Sequence, residues 1–138
     1  MYELSNPHNV DTSKPFIYLV QIEVGARSFR YIGKASKKSR LTEYTRNVEK
    51  ILAGQARRPA IKKNGEPQSN NNLKYRFVHL VLALAVKNRW KIEHYPIENS
   101  NKERLSEREK TLTVELKCNL NNRERWGIDD FEELATKF

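Results

Sequence analysis

An α+β fold is predicted: a small mixed or antiparallel three-stranded sheet flanked by helices, in the order β-β-α-α-β-α. Three observations predict it. Two runs rich in β-branched and aromatic residues, FIYLVQIEV and RSFRYIG, stand on either side of Gly25-Ala26. Three later segments space their apolar residues with a helical period. A third short strand-like run, KIEHYPI, lies between the second and third of them.

The elements follow in order. Residues 1–14 are polar and predict a loose lead-in. Phe16 to Val24 reads as a strand, Gly25-Ala26 as a two-residue turn, and Arg27 to Gly33 as the returning strand. A tight turn sets Tyr31 opposite Val20 and Gly33 opposite Tyr18. Side chains alternate along a strand, so Tyr18 and Tyr31 become diagonal neighbours on one face. Ser39 is placed to cap a helix from about Arg40 to Ala53, ended by Gly54. Its apolar stripe is Leu41, Tyr44, Val48, Ile51 and Leu52. Residues 55–72, with two prolines, a glycine and an asparagine run, predict a long loop. Leu73 to Asn88 is apolar almost all round and predicts the buried helix. Lys91 to Ile97 is a short strand and Glu103 to Lys117 a third helix. Trp126 and Phe131, in a tail from 123 to 138, are expected to pack back onto the body.

The chain of 138 residues predicts one domain, with a core at about 15–122 and a basic loop insertion at 55–72. The longest apolar run, Phe77 to Val86, is too short to cross a bilayer, so no membrane role is expected. No basic-then-apolar pattern opens the sequence, so secretion is not expected. One cysteine, Cys118, cannot pair with another in the chain, which fits a reducing, cytoplasmic setting.

Charge narrows the partners. Twelve lysines and arginines lie between Arg27 and Lys63, against only Glu43 and Glu49. This stretch alone carries more positive charge than the chain's net +9. Such a concentration attracts polyanions, of which nucleic acid is the commonest. Lys37, Lys38, Arg46, Arg57, Arg58, Lys62 and Lys63 are the candidate DNA contacts. Asn70 to Asn72 would join them if the loop reaches a groove.

Leu105, Leu112 and Leu116 form a stripe along the third helix, and Glu109 falls on the same side. A carboxylate there needs a partner: a cation, a metal or a catalytic task. A structural ion pair is the plainer alternative. Upstream, Tyr31-Ile32-Gly33-Lys34 ends a strand in a glycine and basic residues just before a helix. Lys34 and Arg40 are placed to meet an anion there. Arg40 and Tyr44 share a helix face.

Phe16-Ile17-Tyr18, Tyr31-Ile32-Gly33-Lys34, Arg40-x3-Tyr44, Glu109 and Asn121, in that order, resemble the GIY-YIG nuclease family. Glu109 and Asn121 are twelve residues apart, the spacing typical of the family's last motif. The resemblance covers about residues 15–122 and includes the element order. Phe16 replaces the first glycine, and the step from Tyr31 to Arg40 is one residue shorter than usual, which leaves Arg46 as an alternative phosphate contact. The resemblance implies a single divalent ion, Mg²⁺ or Mn²⁺, held by Glu109. It implies a phosphate contact at Arg40 and a general base at Tyr18 or Tyr31. Lys34 could supply the positive charge that a phenol needs to act near neutral pH. Tyr44 would orient water or phosphate, and Asn121 would fix the geometry around Glu109.

The expected function is therefore a stand-alone, metal-dependent DNA endonuclease. Double-stranded DNA is the expected substrate, with RNA and branched DNA also open and a homodimer as one route to specificity. A catalytically inactive nucleic-acid-binding module is the alternative. The histidines lack metal-finger spacing, and nothing positions a serine or cysteine nucleophile.

Overall fold

The computed structural model describes residues 1–57, 64–66, 74–121 and 124–137. Strand β1 (Phe16–Val24) and strand β2 (Arg27–Ala35) form a hairpin. Its two-residue turn pairs Val24 with Arg27, and Gly25 supplies the positive φ of 58° that such a turn needs. Tyr18 stands opposite Gly33 and Val20 opposite Tyr31, as the sequence predicts. Helix α1 (Ser39–Leu52) follows. Strand β3 (Tyr75–Arg76) leads directly into helix α2 (Phe77–Asn88). Strand β4 (Lys91–Asn99) completes an antiparallel three-stranded sheet in the order β2-β1-β4. A 3-10 turn at Lys102–Arg104 opens helix α3 (Leu105–Glu115). Strand β5 (Arg125–Trp126) pairs antiparallel with β3, and helix α4 (Asp129–Ala135) follows it. The α+β class and the three-stranded antiparallel sheet agree with the expectation.

The central strand explains its own sequence. Phe16, Ile17, Tyr18, Val20 and Ile22 are buried whichever face they point to, because both faces of β1 are covered. One core joins Phe16, Tyr18, Val20 and Ile22 to α1 and α2. The other joins Ile17, Leu19 and Ile32 to Leu105 and Leu112 of α3. Burying each such side chain contributes roughly 1.5–3 kcal/mol relative to leaving it in water. Helix α2 is buried from Val78 through Ala85, in keeping with its unbroken apolar sequence. Pro96 sits on β4, an edge strand, where a missing N–H is tolerated.

Several boundaries differ from the sequence reading. Ser39 does not cap α1: Lys38 precedes the helix with helical dihedrals and no side-chain cap forms. The backbone instead closes the first turn itself, with Arg40 N–H on the Lys37 carbonyl and Leu41 N–H on that of Lys38. At the other end Gly54 does stop the helix. Its φ is +73°, and the Gly54 and Gln55 N–H groups bond to the carbonyls of Ile51 and Lys50. Leu52 is exposed and Asn47 takes a buried position on the helix instead. The second helix starts at Phe77, because Tyr75 and Arg76 are drawn into the pairing with Trp126 and Arg125. Strand β4 runs two residues beyond Ile97, and the third helix is shorter than expected, its first turn being 3-10. The tail packs back through Phe131 and Leu134, which are buried, with Trp126 partly buried beside them.

Candidate active site

Strand β2 is an edge strand, and what lies along it defines the site. Tyr31, Gly33 and Ala35 point to the α1–α2 side of the sheet, while Ile32 and Lys34 point to the α3 side. The free edge of β2 is closed by a short polar segment. Asn121 accepts the Ile32 N–H at 3.0 Å and donates to the Ile32 carbonyl at 2.7 Å. Asn119 accepts the Arg30 N–H at 2.9 Å and donates to the Ser28 carbonyl at 3.1 Å. Between them, the Leu120 N–H bonds to the Arg30 carbonyl at 2.9 Å. Two asparagine amides thus mimic the peptide groups of a further strand. Edge donors that would otherwise face water are satisfied. Asn121, expected to act on Glu109, bonds to β2 through both its amide oxygen and its amide nitrogen.

Two hollows follow one another along the seam between β2 and α3. The first, about 530 Å³, is lined by Lys34, Lys37, Arg40, Lys102 and Ser106 among others. Lys34 donates to the Ser106 hydroxyl at 2.6 Å, and Arg40 pairs with Glu43 at 3.1 Å. The second, about 550 Å³, is lined by Tyr31, Arg76, Glu109, Asn121, Glu124 and Arg125, with the side of α3 closing it. Glu109 is partly buried there. Burial raises its carboxyl above the ordinary glutamate range, and the charges of Lys34, Arg76, Arg40 and Lys110 partly offset that. Among the described residues no cation lies within ion-pair distance of it, so the pairing that the stripe position demanded is electrostatic rather than direct.

The three tyrosines do not share one environment. The Tyr18 and Tyr44 hydroxyls bond to each other at 2.6 Å, and both residues are sealed in the core. Burial raises both phenols well above their usual range. Tyr44 is therefore not placed to orient water or phosphate in either hollow. The Tyr31 ring is 6.4 Å from that of Tyr18, so the predicted diagonal contact is present. Its hydroxyl turns outward and accepts a hydrogen bond from Arg76 Nη1 at 3.2 Å. Lys34 was expected to serve as the charge beside Tyr31. It projects from the other face of β2, because the two positions are an odd number apart, and Arg76 holds that place instead.

Gly33 is required by packing. A Cβ at this position would lie 2.3 Å from the Tyr18 ring and hydroxyl, so the tyrosine can lie across β2 only where the side chain is missing.

The remaining basic residues separate. Arg40 lines the first hollow, whereas Arg46, six residues on, is exposed about a third of a turn away around α1. Lys37 and Lys38 are exposed just ahead of α1. Arg57 lies 3.7 Å from Glu43, the carboxylate that Arg40 also uses. Arg58, Lys62, Lys63 and Asn70 to Asn72 lie outside the described residues. The sequence reading missed Arg76 and Arg125. One was absorbed into a helix and the other into the tail, and only their cross-strand pairing brings them together.

Among the described residues no three His, Cys, Asp or Glu side chains gather as a metal cage. No protein-family model matches the chain, and no curated protein or solved structure shows a significant match to it.

Proposed function

We propose that the chain is a divalent-metal-dependent DNA endonuclease whose reaction takes place in the second hollow. The observation that carries the reading is one carboxylate, Glu109, without a direct cation partner among the described residues, facing the same space as a phenol that a guanidinium holds by its oxygen. Glu109 fits a hard cation such as Mg²⁺ or Mn²⁺, which accepts a single protein carboxylate when water and phosphate complete its shell. Such an ion, when bound, supplies Lewis-acid polarisation of the phosphate and a more acidic water.

The chain's own groups divide the remaining work. Tyr31 is the phenol that lines the hollow, so it is the group assigned to take the proton from the attacking water. Arg76, donating to its oxygen at 3.2 Å, holds the hydroxyl in place beside the hollow. Arg40 and Lys34, in the adjoining hollow, supply forked and point-charge donors for phosphate oxygens. Tyr18 and Tyr44 act as a buried brace that sets the Tyr31 ring and the start of α1. Asn121 is a positioning residue for β2. No helix among the described residues is long and apolar enough to cross a membrane.

A second reading, a binding module without catalysis, draws on the sealed Tyr18–Tyr44 pair, which withdraws two motif tyrosines from the cleft. Incubating supercoiled plasmid with wild type and Glu109→Ala, in Mg²⁺ and in EDTA, separates the two. Cleavage by wild type alone, lost in EDTA, supports the nuclease. A salt-sensitive gel shift without cleavage favours the module, and repeating the assay on RNA and branched duplexes tests the substrate class.

A further inference from the structure

Arg76 and Arg125 are direct cross-strand partners in a sheet of only two strands, each two residues long. Like charges placed directly opposite each other destabilise a strand pair. So short a ladder has little stability of its own to offset them. The surroundings add to the cost. Arg57 and Arg40 contribute positive potential at Arg125, and four arginines together push the buried His79 toward its neutral form after burial itself. Among the described residues, neither Arg76 nor Arg125 is within ion-pair distance of a carboxylate, and Glu43 is already shared by Arg40 and Arg57. The one side-chain hydrogen bond from Arg76 to a described residue is to Tyr31, so most of its five donors are not taken up by the described residues. Arg76 also stands at the N-cap of the twelve-residue α2, whose dipole favours an anion at that end. Glu109 and Glu124 line the same hollow, and the charge of Arg76 partly offsets the burial of Glu109, yet the two guanidinium-bearing residues stay directly opposed, an arrangement that a bound anion relieves.

We propose that Arg76 and Arg125 form a second phosphate-binding site, on the wall of the cleft across from α3. It takes a backbone phosphate next to the one being cut. The identity of the ligand as a DNA strand rests on the nuclease reading; the phosphate chemistry does not. The pair grips a non-bridging phosphate edge in the forked manner of guanidinium groups. That contact fixes the strand against Tyr31 and Glu109 and relieves the repulsion between the two side chains.

The test uses the full chain and inorganic phosphate as probe, titrated against chloride at constant ionic strength. The Nε–Hε resonances of the arginine side chains are followed by NMR and assigned with Arg76→Gln and Arg125→Gln. The expected result is a saturable shift of both resonances together, with exposed Arg104 unmoved as the control. Phosphate should also raise the melting temperature of wild type above that in chloride, and not that of the double variant. In chloride the double variant sets its own baseline, because it loses the repulsion and also the Arg76–Tyr31 hydrogen bond, and the response to phosphate is read against that baseline. On duplex DNA with Ca²⁺ in place of Mg²⁺, it should bind at least tenfold more weakly, with a log–log salt slope about one unit smaller. Arg76 and Arg125 resonances that move no more than that of Arg104 would overturn the site. So would an unchanged salt slope in the double variant while wild type still cleaves DNA, an outcome that leaves the nuclease standing. Coupled phosphate shifts in a protein that never cleaves would uphold the anion site and remove the nuclease.

Discussion

Gly33→Ala tests the packing on which the site depends. The new methyl group would start 2.3 Å from Cζ and Oη of Tyr18 and 2.7 Å from its Cε2, so the ring has to move by more than an ångström to reach ordinary contact. Tyr18 has little room to do so. It is fully buried, it has Phe16, Tyr31 and His94 rings around it, and its hydroxyl is tied to Tyr44 at 2.6 Å. Overpacking a filled core costs about 1–3 kcal/mol. Breaking the Tyr18–Tyr44 bond adds about 1 kcal/mol. Together these predict a loss of roughly 2–4 kcal/mol, read as a lower urea midpoint with the m-value unchanged. Tyr18→Val removes the obstructing ring at its own cost, so Gly33→Ala should be nearly harmless in that background. The double-mutant cycle should therefore show a coupling of about 2 kcal/mol or more. Additive effects, or a single-variant loss below about 0.5 kcal/mol, would refute the claim that the glycine exists to admit the ring.

Other predictions follow from the same geometry. Asn121→Ala opens the β2 edge and should cost about 1–3 kcal/mol; cleavage should fall with it, and unaltered stability with lost cleavage would assign Asn121 to chemistry instead. Arg40→Ala should slow cleavage by roughly 10²-fold or more, while Arg46→Ala should leave the single-turnover rate close to wild type; the reverse ranking would move the phosphate contact to Arg46. Glu109 has a raised carboxyl pKa in the fold, so the stability it contributes is present at low pH, below its unfolded pKa, and is lost as pH rises through the folded value. Glu109→Gln should therefore stabilise the metal-free protein at pH 7 while abolishing cleavage, checked by thermal melts in EDTA beside the plasmid assay. His79 and His94 have the opposite sign. Burial lowers both, His94 to about 3, so their stability is present above the unfolded value of 6.5 and is lost as pH falls through the folded values. Urea midpoints should fall between pH 7 and 5, and a flat profile would mean the imidazoles are accessible to protons.

The sequence carried the hairpin's turn and register, though β2 runs two residues past Gly33 to Ala35, because two strands joined by a two-residue turn leave a single register once the turn is fixed. It also carried the partial burial of Glu109, since one carboxylate on a leucine stripe is a local pattern. What it hid depends on distant pairings. Arg76 and Arg125 are almost fifty residues apart in the chain, and each belongs to a strand too short to leave a periodic signal. Arg76 also abuts an apolar helix, so its position reads as helical until the pairing with the tail is known. Ser39 failed as a cap for a different reason: the chain enters α1 through a turn that is already helical, and the backbone leaves its side chain nothing to do.

The division between Tyr31 and the other two tyrosines follows from β2 being an edge strand. A residue on a central strand has neighbours on both sides, so Tyr18 of β1 and the helix-borne Tyr44 meet inside the core and satisfy each other. Tyr31 has a strand on one side only. Its hydroxyl therefore reaches past the sheet toward Arg76, while α3 brings Glu109 around from the opposite face to the same hollow. The edge that must be guarded against unwanted pairing is thus the place where groups from both faces of the sheet can meet, and Asn119 and Asn121 guard it with side chains rather than with a full strand. A complete fourth strand there would close the approach to Tyr31. Replacing the asparagine segment by a regular β-strand sequence should accordingly raise stability and remove activity together.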